Sequence, residues 1–173
     1  MANTSVELPP ARYDYGGDEF VFVELDRAMS LEANFKAMAI TSALQAEDLE
    51  GVLDICPSNA SYLIRVDPDR LHPAELVRHL EDLERSTAPL APDKAVRSRV
   101  VDVPVLYDDP WTHETLMRFR DRHQDPESTD LEYAARINGF ASVEALVEAL
   151  SGSPFLVTMI GFVPGLPFCY QMV

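Results

Sequence analysis

Three observations predict an α+β fold. Short runs rich in Val, Ile, Phe and Tyr read as strands, and between them lie segments whose apolar residues recur at helical spacing. These elements follow one another as strand, helix, strand, strand, helix, strand. The 173 residues, 47% of them hydrophobic, are enough to enclose a sizeable core.

The opening residues 1–18, "MANTSVELPPARYDYGGD", mix Pro, Gly and small polar residues without periodicity and read as a flexible leader. "EFVFVEL", from Glu19 to Leu25, is the first strand. Ser30 suits the N-cap of a helix in which Phe35, Met38, Ala39 and Ala43 share a face, and Gly51 ends the connection that follows. "VLDIC" and "SYLIRV" are two short strands joined by "PSNA", whose Pro57, Ser58 and Asn59 favour a turn. Asp67 and Pro68 stop the second of them. Pro73 then opens a helix with Leu76, Val77, Leu80 and Leu83 on one side. After a Pro-containing linker at 88–92, "RSRVVDVPVLY" supplies a further strand. Residues 19–98 thus form a split βαβ, ferredoxin-like module with both helices on one face of an antiparallel sheet.

A second module is expected from residue 99 onward. It begins with a polar, charged stretch, "DDPWTHETLMRFRDRHQDPESTD", holding one short helix around Thr115 to Arg122, so residues 108–128 read as a surface insertion. Thr129 and Glu132 have capping-box spacing for a helix that Gly139 ends. Ser142 caps another, carrying Val143, Leu146, Val147 and Leu150. The apolar strand "FLVTMIGF" follows, and the module is expected to be incomplete at residue 173.

Composition excludes some functions. Fourteen basic residues against 29 acidic ones give a formal charge of −15, the wrong sign for phosphate backbones. There is no cationic leader with an apolar centre and no run long enough to cross a bilayer, so a soluble, cytoplasmic protein is expected. Cys56 and Cys169 make no disulfide framework and read as buried, reduced thiols.

The segment that carries most chemistry is "GFVPGLPF". Gly161 and Gly165 permit positive φ and close approach to a ligand, while Pro164 and Pro167 stiffen the backbone. Phe162 and Phe168 are placed to wall a flat substrate pocket, with glycine N–H groups facing a carbonyl or carboxylate. A Gly-Pro corner of a β-barrel needs the same residues, and spacing alone favours that simpler use. The loop has neither the Gly-Lys-Ser/Thr ending of a phosphate-binding loop nor a dinucleotide glycine pattern. His113 and His123 flank Glu114, Asp121 and Asp125 at no metal-ligand spacing and read as a solvated helix, with no metal expected. His72 and His79 read as half-exposed packing residues, and Asp108 and Asp109 before Pro110 as a turn. Cys169 has no identifiable activating base and reads as packed. The catalytic residues stay unassigned.

Several of these stretches resemble the carboxyltransferase subdomain C and D family. The family is shared by allophanate hydrolase subunit 1, the B subunit of 5-oxoprolinase, the KipI kinase inhibitor and part of urea carboxylase. "GGDEFVFVEL", Asn34, "EGVLDICPSNASYLIRVDPDRL" and "PAELVRHLEDL" resemble its opening, and "TDLEYAARINGFASVEALVEALSGSPFLVTMIGFVPGLPF" its most diagnostic part. The family's Gly-Phe-x-Pro-Gly-Phe/Leu-Pro-Phe/Tyr loop is matched by Gly161, Phe162, Pro164, Gly165, Leu166, Pro167 and Phe168. The segment 108–128 departs from the pattern.

The resemblance implies that residues 99–173 are part of a cyclophilin-like β-barrel. It also implies pairing with a larger cyclophilin-like subunit of the allophanate hydrolase subunit 2 type. Such assemblies act on small amides, with ATP or carboxybiotin as the implied co-reactant and no cofactor held by this chain alone. The KipI branch instead binds and inhibits a histidine kinase.

Overall fold

The computed structural model describes residues 8–87 and 98–172. Their contacts divide them into two compact units, Met1–Arg99 with Val157–Phe168, and Val100–Leu156 with Cys169–Val173.

In the first unit, strand β1 (Arg12–Gly16), β2 (Phe20–Glu24), β3 (Val52–Pro57) and β4 (Ser61–Val66) form one antiparallel sheet in the order β1-β2-β4-β3. Helix α1 (Leu31–Glu47) connects β2 to β3, and α2 (Pro73–Thr87) follows β4. The alternation of β2 and β4 sends Val21, Val23, Tyr62, Ile64 and Val66 to one face. There they meet Ala37, Ile40 and Leu44 of α1 and Leu76, Leu80 and Leu83 of α2, so both helices cover the same face, as the sequence predicts. Burying each Leu, Ile or Val of this core contributes about 1.5–3 kcal/mol relative to exposure.

Two expectations for this unit are corrected. Arg12–Gly16 belongs to the stretch read as leader, yet it forms β1, in register with β2 from Arg12↔Glu24 to Gly16↔Phe20. Its charged and exposed residues fit an edge strand with little apolar surface to bury. Conversely, Ser98–Leu106 reads as a strand in the sequence and has no regular structure, with Val100, Val103 and Leu106 exposed. A strand needs a partner for its backbone groups, and β1 holds the sheet position beside β2 that the split βαβ order gives to the strand after α2. Arg97 and the linker 88–92 lie outside the described residues.

Ser30 caps α1, its hydroxyl accepting from Ala33 N at 3.2 Å. The buried face of the helix is Ala33, Ala37, Ile40 and Leu44, and Phe35, Met38 and Ala43 are half-buried beside it. The thiols also differ from expectation: Cys56 and Cys169 are exposed and neither is in a disulfide. Cys56 lies on edge strand β3, where partial burial and the carboxylate of Asp54 raise its pKa.

The second unit holds α3 (Pro110–Phe119), a 3₁₀ turn (Arg120–Arg122), α4 (Asp130–Ile137) and α5 (Val143–Ser151). Leu116, Ala135 and Leu146 are its buried apolar residues. Helix α3 starts earlier than predicted. Asp109 is its N-cap, the carboxylate accepting from Trp111 N at 3.0 Å and Thr112 N at 2.9 Å, and Pro110 opens the first turn. The Thr112 hydroxyl also donates to this carboxylate, and that bond, followed by the backbone ones, holds the Asp109 carboxyl below its usual pKa. Thr129 and Glu132 form the predicted capping box of α4, and Ser142 caps α5. Strand β5 (Phe155–Ile160) pairs with β6 (Pro167–Gln171) as a two-stranded sheet, through which the division between units passes.

Candidate functional site

The loop between β5 and β6, with the first two residues of β6, contains all the substrate-site residues expected from the sequence. Val163 O accepts from Leu166 N at 3.1 Å, closing a turn with Pro164 and Gly165 in its centre. Gly165 has φ +81°, the conformation that the third residue of a Pro-Gly turn of this kind requires. Phe162 is 94% exposed, and Val163, Leu166 and Phe168 are also exposed.

Gly161 is small because of an internal neighbour. A Cβ built there would lie 2.8 Å from Cε2 of Phe168, so the Phe168 ring packs directly over the glycine. The Phe162 ring stands in solvent, while the Phe168 ring lies on Gly161.

The loop is tied down by buried polar groups from three distant parts of the chain. Asn34 of α1, 3% exposed, donates from Nδ2 to Ser58 O at 3.2 Å and to Thr158 O at 3.1 Å. Thr158 of β5, itself buried, hydrogen-bonds through its hydroxyl to Asn59 Oδ1, and its Oγ1 lies 3.2 Å from Phe168 O. The hydroxyl of Ser58 donates to Met159 Sδ at 3.1 Å. Buried polar atoms are costly without partners, and here they satisfy one another, which ties Thr158 and Met159 of β5 to the Ser58–Ser61 turn.

Sequence reasoning did not assign this knot. Asn59 reads as a turn residue and Thr158 as one member of an apolar strand. The available signal is Thr158 itself, a lone hydroxyl within "FLVTMI".

That same turn borders a shallow depression of about 340 Å³, lined by Phe22, Glu24, Met29, Asn59 and Ser61 among others. Within the second unit, a depression of about 270 Å³ is bordered by Asp108, Asp109, His113, Leu116 and Asp130. His113 is exposed at its margin. His123, expected to be solvated, is a packed residue instead: its ring meets Tyr133 edge-on at 5.2 Å, and Nε2 lies 3.1 Å from Asp130 Oδ1. Asp125 beside it accepts from Ser128 Oγ at 2.6 Å and pairs with Arg136 at 2.5 Å, and these contacts hold its carboxyl down at about 2. Among the described residues, no three His, Cys, Asp or Glu side chains converge as a metal cluster would. No described helix is long and apolar enough to cross a membrane.

Comparison with known proteins agrees with this architecture. Residues 11–173 match the family described as carboxyltransferase domain, subdomain C and D. The chain is 24% identical over 161 residues to the B subunit of 5-oxoprolinase from Bacillus subtilis (strain 168), covering 88% of this chain and 59% of that protein. It therefore spans less than two thirds of that relative. Among solved structures, the K. lactis urea amidolyase superposes with a TM-score of 0.69 at 15% identity, over 96% of this chain and 11% of its own. TTHA0988 superposes with a TM-score of 0.60 at 28% identity, over 87% and 25%. With the match running through the sheet, the capped helices and the Gly-Pro loop, the chain belongs to the carboxyltransferase domain, subdomain C and D family.

Proposed function

We propose that this chain is one component of a heteromeric carboxyltransferase or amidohydrolase acting on a small urea-like or lactam amide, with the Gly161–Phe168 loop facing the substrate. The observation that carries this reading is the loop's construction. It is anchored from below by Asn34, Asn59 and Thr158 and presents Phe162, Val163 and Leu166 outward. A rigid, uncharged surface of this kind suits a flat neutral substrate shared with a second protein.

The loop fits the proposed co-reactants unequally. From Ala149 to Val173 there is no charged side chain, so the loop itself brings no cation to a triphosphate. The ureido ring of carboxybiotin is flat and suits aromatic side chains, and its carboxylate can accept from glycine N–H groups. The likeness to a protein named as one subunit of 5-oxoprolinase supports the assignment to a multi-subunit assembly.

The test is co-expression with a large subunit of the allophanate hydrolase subunit 2 type. The purified complex is supplied with ATP or carboxybiotin and a panel of ureas and lactams. Turnover of one class supports the reading. A folded complex inert across the panel overturns it, and inhibition of a histidine kinase by the chain would replace it with the regulatory role.

A further inference from the structure

The depression beside the Ser58–Ser61 turn has an unusual distribution of hydrogen-bond partners. Its wall is built by backbone bonds: Leu25 N and Asp26 N both donate to Ala60 O, at 2.9 and 3.4 Å, and Ser58 N donates to Ser61 O at 2.8 Å. Two donors on this wall rest on sulfur. Asn59, 7% exposed, points Nδ2 at Met29 Sδ 3.4 Å away, and the Ser58 hydroxyl points at Met159 Sδ. A thioether is a weak acceptor, so an oxygen acceptor entering here gains more than the sulfur loses.

Acceptors line the same depression. The half-buried carboxylate of Glu24 has two guanidinium neighbours, Arg12 at 3.7 Å and Arg27 at 3.8 Å, both beyond hydrogen-bond length. Its oxygens keep capacity for N–H groups. Glu24 and Asp26 outnumber Arg27 along the lining, which disfavours an anion, and Phe22, Met29 and Ala60 supply apolar contact.

We propose that this depression is a second small-molecule site, taking a neutral compound whose carbonyl is flanked by N–H, the carbonyl on Asn59 and the N–H on Glu24. The site is separate from the Gly161–Phe168 loop and goes beyond the function proposed above. The bond from Thr158 to Asn59 joins its wall to strand β5.

The test is titration of the ¹⁵N-labelled chain with 2-imidazolidinone, a cyclic urea, followed by amide NMR shifts, with acetate as the anionic comparison. Saturable shifts at the Asn59 side chain, Ala60 and Ser61 are expected. Glu24→Gln should weaken binding about fivefold, one modest hydrogen bond. Met29→Leu, which removes the sulfur acceptor while keeping the volume, should bind at least as well as the parent. No saturable shift, equal binding of acetate, or unchanged affinity in Glu24→Gln overturns the proposal. Shifts confined to Gly161–Phe168 also overturn it while leaving the loop's proposed role intact, and an inert complex that still shows the Asn59 shifts counts against that role alone.

Discussion

The hydroxyl of Thr158 is bonded to the side-chain carbonyl of Asn59, joining positions 99 residues apart in a buried environment. Thr158→Val keeps the shape and removes the donor, leaving Asn59 Oδ1 buried without its partner. The loss should be about 1–3 kcal/mol. For a chain of this size that lowers Tm by roughly 2–4 °C per kcal/mol, measured by calorimetry. An unchanged Tm would show that this bond does not anchor β5.

Gly161 and Gly165 should fail in different ways. At Gly165 an added Cβ meets nothing within 4 Å, but φ is +81°, so Gly165→Val costs about 1–3 kcal/mol of backbone strain. At Gly161 the obstacle is the Phe168 ring, so Gly161→Ala should displace that ring and alter its aromatic NMR resonances. In the full complex, both changes should reduce amide turnover more than they reduce Tm. A fully active Gly165→Val would exclude the turn from the substrate surface.

His113 supplies the contrast. It is exposed in the stretch 108–128, and His113→Ala should leave stability within about 0.5 kcal/mol and turnover unchanged. Loss of turnover with normal folding would move the site to the depression beside α3.

Acid should loosen the segment before α4. Asp125 is held at about 2, below its ordinary value of 3.8, by Ser128 and then Arg136. A carboxyl whose pKa is lowered on folding stabilises the fold above its unfolded value, and that contribution disappears as pH falls toward the folded one. The Ser128 and Arg136 contacts should therefore be lost between about pH 4 and pH 2, seen as faster amide exchange at Glu127 and Ser128. Asp125→Asn should abolish this step, and its persistence in the variant would assign it to another group.

Local features of this chain are legible from the order of its residues. The caps at Ser30, Thr129 with Glu132, and Ser142 satisfy backbone groups three residues away, so spacing alone defines them. The same holds for Leu76, Leu80 and Leu83, which share a face by helical period. Whatever depends on a distant partner was decided by the folded chain. "RYDYG" has no apolar run to mark it, yet it is a strand because β2 offers a free edge, while "VVDVPVL" has the composition of a strand and no neighbour to pair with. Phe35 and Met38 obey the helical period, but the sheet lies under Ala37 and Ile40. In the loop, the sequence placed the glycines and prolines, and only the fold made Gly161 a seat for Phe168 and brought Asn34 and Asn59 to Thr158. Hydrogen bonds and ring contacts act over a few ångströms, and which residues come that close is a property of the folded chain.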